Sequence, residues 1–144
     1  MALSDDQIDL LQHGLRLMHA RKQMAAAMFY DRLFAIDPKL RPMFSDDLVA
    51  QTEKVMIALG AVVGQIHDLD GCRDMTEDLA LRHVTYGVKA ADYQSVGEAV
   101  MTTLAEVLED AFTPDMEEAW RQAYAAIAAV MIKAAYGPGA EAAV

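Results

Sequence analysis

Signals that start and stop helices recur so closely along this 144-residue chain that almost nothing is left over for strands. Ser4, with Gln7 three residues on, makes a capping box and opens a helix expected to run to about His19. A second follows almost at once, with Met24, Ala27, Tyr30, Leu33 and Phe34 on connected faces. Asp37-Pro38 ends it and starts a short helical turn through Met43. Ser45-Asp46-Asp47 supplies a cap and negative charge for a long helix with Leu48, Val55, Leu59, Val62 and Ile66 on its buried stripe. His67 to Met75 reads as a loop. Thr76, followed by Glu77 and Asp78, caps a short helix that Gly87 is well placed to end. Asp92 caps the next, which reaches about Asp110. Thr113-Pro114 opens a terminal helix carrying Met116, Trp120, Ala123, Tyr124, Ile127 and Met131 at i, i+3 and i+4 spacings. Gly137-Pro138 stops it, so one all-α domain is expected over residues 1–137, with a disordered tail over 138–144.

Composition agrees with a helical core. The chain is 54% hydrophobic but only 7% aromatic, and Ala, Leu, Val and ten Met carry that fraction. The methionines read as core filling. A net charge of -10, with twelve scattered basic residues, argues against the phosphate-neutralising surface that nucleic acid or an anionic membrane requires. The most apolar stretch, Val55 to Ile66, falls well short of the ~20 residues that span a bilayer. The single cysteine, Cys72, excludes an intrachain disulfide and a cysteine zinc cluster, and reads as an inert loop thiol. The N-terminal residues show no signal peptide, so a cytoplasmic protein is expected.

Three polar residues stand where the helical pattern asks for apolar ones. His83 lies four residues after Leu79 and three before Tyr86, and no Asp, Glu, His or Cys at i+3 or i+4 would let this helix clamp a zinc ion by itself. Gln51 falls three after Leu48 and four before Val55, and Tyr30 shares a face with Ala27, Leu33 and Phe34. Each alone has an ordinary reading, as a satisfied core histidine, a solvated glutamine or a buried tyrosine bonded to a carbonyl. Together they suggest a metal held by one imidazole, with a phenol and an amide as donors opposite. One histidine suffices for a metal when a porphyrin supplies four nitrogens, which points to haem. The remaining histidines, His13, His19 and His67, read as solvated surface.

From about Ser4 to Lys133 the chain resembles the globins, most closely single-domain bacterial haemoglobins and the globin domain of flavohaemoglobins. The matching segments run Phe29-Tyr-Asp-Arg-Leu-Phe-Ala-Ile-Asp-Pro38, Leu40-Arg-Pro-Met-Phe44, Gln51-Thr-Glu-Lys-Val55, Arg82-His-Val-Thr-Tyr-Gly-Val88, Asp92-Tyr-Gln-Ser-Val-Gly97 and Ala119-Trp-Arg-Gln-Ala-Tyr124. The resemblance implies a three-over-three helical sandwich around a haem b pocket. It makes His83 the proximal iron ligand, with its other ring nitrogen donating to a carbonyl or similar acceptor. Phe44 would stack on the haem face, Tyr30 and Gln51 would be the distal donors to dioxygen, and Val55 would crowd the ligand position. Leu79, Val88 and Tyr93 would complete the cofactor-binding set. Lys54 and Arg82 flank it within reach of haem propionates, although surface decoration accounts for them equally well.

In the flavohaemoglobin type a tyrosine and a glutamate bond to the proximal histidine. Tyr93 matches the tyrosine, but Ala135 stands at the glutamate's place. No glycine-rich flavin or NAD fingerprint is present either. Three functions follow from the resemblance: reversible dioxygen binding for delivery, storage or buffering; nitric oxide dioxygenation with an external reductase; and a haem-free signalling module. Keeping His83, Phe44, Tyr30 and Gln51 together counts against the third. Carbon monoxide would gain less than dioxygen from the distal donors. The sequence leaves oligomeric state open, a homodimer included.

Overall fold

The computed structural model describes residues 3–44, 47–64, 73–85 and 88–136. All regular structure among them is helical. Six helices follow in order: α1 (Asp5–Ala20), α2 (Lys22–Ile36), α3 (Leu48–Gly64), α4 (Arg73–Thr85), α5 (Asp92–Leu108) and α6 (Pro114–Tyr136). Short 3-10 turns cover Pro38–Met43 and Glu109–Ala111.

Most boundaries fall where local chemistry sets them. Both halves of the capping box are formed at Ser4 and Gln7. Asp37 accepts the Lys39 N–H and starts the 3-10 turn with Pro38 in its first position. The Asp47 carboxylate accepts the Ala50 N–H at the head of α3, while Ser45 and Asp46 lie outside the described residues. Thr113 Oγ1 accepts the Met116 N–H and Pro114 opens α6. The break between α1 and α2 is a single residue. There Arg21 bonds back to the Met18 carbonyl, and its guanidinium donates to the Val107 carbonyl at 3.0 Å, tying the corner to α5.

Two expected caps are placed differently. Helix α4 begins at Arg73, so Thr76 is an internal residue, 3% exposed, rather than the cap. Asp92 is the first residue of α5 and not its cap, because its carboxylate reaches backward to the Lys89 N–H at 2.9 Å. It closes the preceding turn instead of the helix's own free N–H groups. The expected α2 stripe is also shifted, since Ala25, Tyr30 and Leu33 are buried while Met24 is 47% exposed. Helix α2 is apolar nearly all round, so periodicity does not choose its inward face and packing against α5 does. The expected stops at Gly87 and Gly137-Pro138, the loop with His67 and Cys72, the tail, and the side chains of Val55, Leu59 and Val62 lie outside the described residues.

The helices form two layers. One holds α1, α3 and α4, the other α2, α5 and α6, and contacts run chiefly between α2 and α5, α4 and α6, and α1 and α6. The main core gathers Leu11, Ala25, Met101, Leu104, Val107, Met116, Ala119 and Trp120. Two smaller clusters flank it: Leu33, Leu40 and Ala99 beneath the first 3-10 turn, and Ala80, Tyr93, Met131 and Ile132 beneath α4. Helix α3 is anchored on α1 and α4 on α6, and among the described residues no comparable packing joins α3 to α4. Among those residues, no helix is long and apolar enough to cross a membrane.

Candidate functional site

The wall built on α4 centres on His83, half-buried in the helix's last turn. Its Nδ1 lies 2.6 Å from the Leu79 carbonyl oxygen. A carbonyl only accepts, so this bond puts the ring proton on Nδ1 and the basic lone pair on Nε2. The Val88 N–H then bonds back to the His83 carbonyl at 3.0 Å, a six-residue closure that turns the chain toward α5. Leu79 and Val88 pack against the cluster of Ala80, Tyr93, Met131 and Ile132.

Tyrosines from α5 and α6 hold this wall. The Tyr93 ring, 7% exposed, lies 6.4 Å from the His83 ring with 28° between their planes. Tyr124 donates to the Tyr93 carbonyl at 2.5 Å, and the Tyr136 phenol donates to the Val88 carbonyl. The Tyr93 hydroxyl itself is buried with no hydrogen-bond partner among the described residues. Ala135 belongs to the residues packed against that cluster, and its methyl offers no acceptor. Burial pushes the Tyr93 phenol up to about 12, with the neighbouring Tyr136 adding to the rise.

The second wall is aromatic. Tyr30 on α2 is 5% exposed and touches Phe29, Phe34 and Phe44, with ring centroids 5.4, 6.0 and 5.7 Å away. Phe44 also meets Phe34 edge-on at 5.6 Å, and the Arg41 guanidinium lies 5.4 Å from the Phe34 ring. Burial raises the Tyr30 phenol, and a hydrogen bond with the Thr52 side chain opposes that rise. Thr52 is itself 5% exposed. Gln51, its neighbour, is half-buried, and Lys54 is exposed. Arg82 pairs with Asp78 at 2.8 Å on the surface, a contact worth about 0.5 kcal/mol at most in such helix pairs.

Two groups of sequence-selected residues are therefore brought together: His83, Leu79, Val88 and Tyr93 on one wall, Tyr30 and Phe44 on the other. Sequence reasoning passed over Thr52, although it stands four after Leu48 and three before Val55 and so shares the stripe that singled out Gln51. It also passed over Tyr136. Among the described residues no group of three or more His, Cys, Asp or Glu could hold a bare ion. A lone imidazole with Nδ1 already committed suits a metal whose other donors come from a macrocycle.

Comparison with known proteins bears on this arrangement. The globin family model matches residues 27–131. The chain is 29% identical over 133 residues to a flavohaemoprotein of Vibrio cholerae and 26% identical to one of Bacillus subtilis, covering 90% of this chain in each case. It spans about a third of those relatives' length, 34% and 33%. A neuroglobin of Chaenocephalus aceratus is 25% identical, with 90% of each chain covered. Among solved structures, a bacterial globin from Campylobacter jejuni superposes with a TM-score of 0.80 at 23% identity, covering 92% of this chain and 96% of its own. An engineered carbene transferase, built on a candidate nitric oxide dioxygenase of Rhodothermus marinus, gives 0.81 at 24% identity, covering 99% of this chain and 100% of its own.

Proposed function

We propose that this chain, which belongs to the globin family, holds haem b through His83 and reversibly binds dioxygen in the cytoplasm, for delivery, storage or buffering. The observation that carries the reading is the His83 imidazole, whose Nδ1 is committed to the Leu79 carbonyl and whose basic nitrogen is therefore Nε2. Haem supplies an iron able to take a diatomic ligand. The chain's own residues do the rest. His83 would fix the metal's position, Phe44 and Leu79 would give the macrocycle apolar contact, and Val88 and Tyr93 would support the proximal side. Tyr30, a donor at any physiological pH because burial raises its phenol, would face the ligand, with Gln51 as the second donor. Val55 would crowd the ligand's place, as the resemblance implies, and Lys54 and Arg82 would answer the propionates.

Tyr30 and Gln51, as hydrogen-bond donors, would stabilise a bound dioxygen and slow its release. One net hydrogen bond is worth about 0.5–1.5 kcal/mol, so Tyr30→Phe should release oxygen roughly two- to tenfold faster. Stopped-flow oxygen dissociation measures this, and an unchanged rate overturns the role of Tyr30. The absorption spectrum of reduced protein with carbon monoxide tests the reading as a whole. A preparation that stays colourless after haem addition refutes it.

The second reading is nitric oxide dioxygenation with electrons from an external reductase. The likeness to the flavohaemoproteins favours it. The buried Tyr93 hydroxyl, which has no hydrogen-bond partner among the described residues, speaks for the first reading, because no carboxylate there bonds to it to help make the proximal imidazole more anionic. Rapid nitrate formation with catalytic re-reduction would decide for the second.

A further inference from the structure

We propose that Arg41 is a positioning residue of the pocket: its guanidinium latches Phe44 in place and steadies the aromatic wall that surrounds Tyr30. This rests on the reading of Phe44 as the residue that would stack on the haem face. Arg41 lies in the 3-10 turn Pro38–Met43, and Phe44 closes that turn. The two residues exchange hydrogen bonds. The Phe44 N–H donates to the Arg41 carbonyl at 3.2 Å, and the Arg41 guanidinium donates back to the Phe44 carbonyl at 3.4 Å. One residue thus engages both polar groups of the Phe44 backbone. Leu40 beside it is 2% exposed and fixes the turn on the core, so the latch has a firm base.

The same guanidinium lies 5.4 Å from the Phe34 ring centroid on α2. Phe34 in turn meets Phe44 edge-on at 5.6 Å and stacks with Tyr30 at 6.0 Å, with 14° between the planes. A guanidinium is flat and has several donors, so it can offer a face to the Phe34 ring and an N–H to the Phe44 carbonyl at once. A lysine ammonium is a point charge on a flexible stem and would lose one contact or the other. Each contact is weak alone, since 3.4 Å is a long hydrogen bond. They reinforce each other because both hold Phe44, one through its backbone and one through the ring it packs against.

The test is a pair of substitutions read in haem-free and haem-loaded protein. Arg41→Met keeps an apolar stem and removes the charge and the donors, while Arg41→Lys keeps the charge. In haem-free protein, hydrogen exchange at the Phe44 amide should speed up about threefold to tenfold in Arg41→Met and by less in Arg41→Lys, while amides in the middle of α5 and α6 keep the parent's rates. In haem-loaded protein, haem transfer to excess apomyoglobin should be faster by about the same factor in Arg41→Met. Adding Arg41→Met to Phe44→Ala should change transfer no further, because the effect acts through the Phe44 ring. Unchanged exchange at Phe44 overturns the proposal, and so does equal acceleration in α5 and α6, which is what a merely structural arginine would give. Faster exchange confined to Phe44 in a protein that takes up no haem upholds the latch and overturns the haem-stacking reading of Phe44 instead.

Discussion

His83 Nδ1 and the Leu79 carbonyl oxygen, one helical turn apart, lie 2.6 Å from each other, so α4 itself supplies the acceptor that orients its histidine. A carbonyl has two lone pairs and can serve the helix ladder and the imidazole together. Replacing His83 with Ala should leave the helix intact, since alanine is the best helix former. Haem retention should fall at least tenfold, measured as the haem-to-protein ratio after gel filtration, with unchanged far-ultraviolet circular dichroism. A variant with a normal haem spectrum would show the proximal assignment to be wrong.

The alkaline limit of stability should carry the mark of Tyr93. Its phenol titrates near 12 when folded, against 10.0 for an exposed one, so between those values the folded chain holds a proton that the unfolded chain has lost. Stability from this group is thus complete below pH 10 and drains away as pH rises through 12. Tyr93→Phe should flatten the fall of the urea midpoint across that window. At neutral pH the same variant should be within about 1 kcal/mol of the parent or more stable, because it deletes a buried hydroxyl with no partner.

Gly97 is a packing requirement of the site's support. A Cβ there would fall 2.7 Å from Tyr124 Cε2 and 3.1 Å from Cδ2. Tyr124 cannot retreat freely, because its hydroxyl is bonded to the Tyr93 carbonyl. Gly97→Ala should cost about 1–3 kcal/mol despite the better helix propensity of alanine, read as a lower urea midpoint. A midpoint at or above that of the parent would mean that the α5–α6 contact has more room than this geometry allows.

Glu109 is the only non-glycine residue with positive φ among the described residues, at φ 51 and ψ -122, where α5 passes into its 3-10 turn. That region suits glycine, which has no Cβ to clash. Glu109→Gly should stabilise by about 1 kcal/mol, a rise of about 2–4 °C in Tm by calorimetry. Glu109→Ala, which keeps the Cβ, should show no such gain.

Legibility in the sequence varied with the range of the interaction. The Ser4–Gln7 box and the Thr113-Pro114 start were readable because a cap is an exchange between residues two or three apart. His83 and Tyr30 were readable as polar groups out of pattern. Asp92 was misread as a cap because an aspartate at a helix start can bond forward or backward, and its distance to the Lys89 N–H decides which. Thr52 was passed over since Gln51 occupies the same stripe, and periodicity cannot rank two neighbours that both satisfy it.

Sequence alone determined that this is an all-α chain, where most of its helices begin, and that one imidazole and one phenol interrupt apolar faces. These properties depend on local hydrogen bonds and on the 3.6-residue period, both complete within a few turns. Tertiary structure alone decided which face of the largely apolar α2 turns inward, that the Tyr93 ring stacks on His83, and that the Tyr93 hydroxyl is buried with no partner among the described residues. Those outcomes depend on how helices distant in sequence pack against one another, and no spacing within a single helix encodes them.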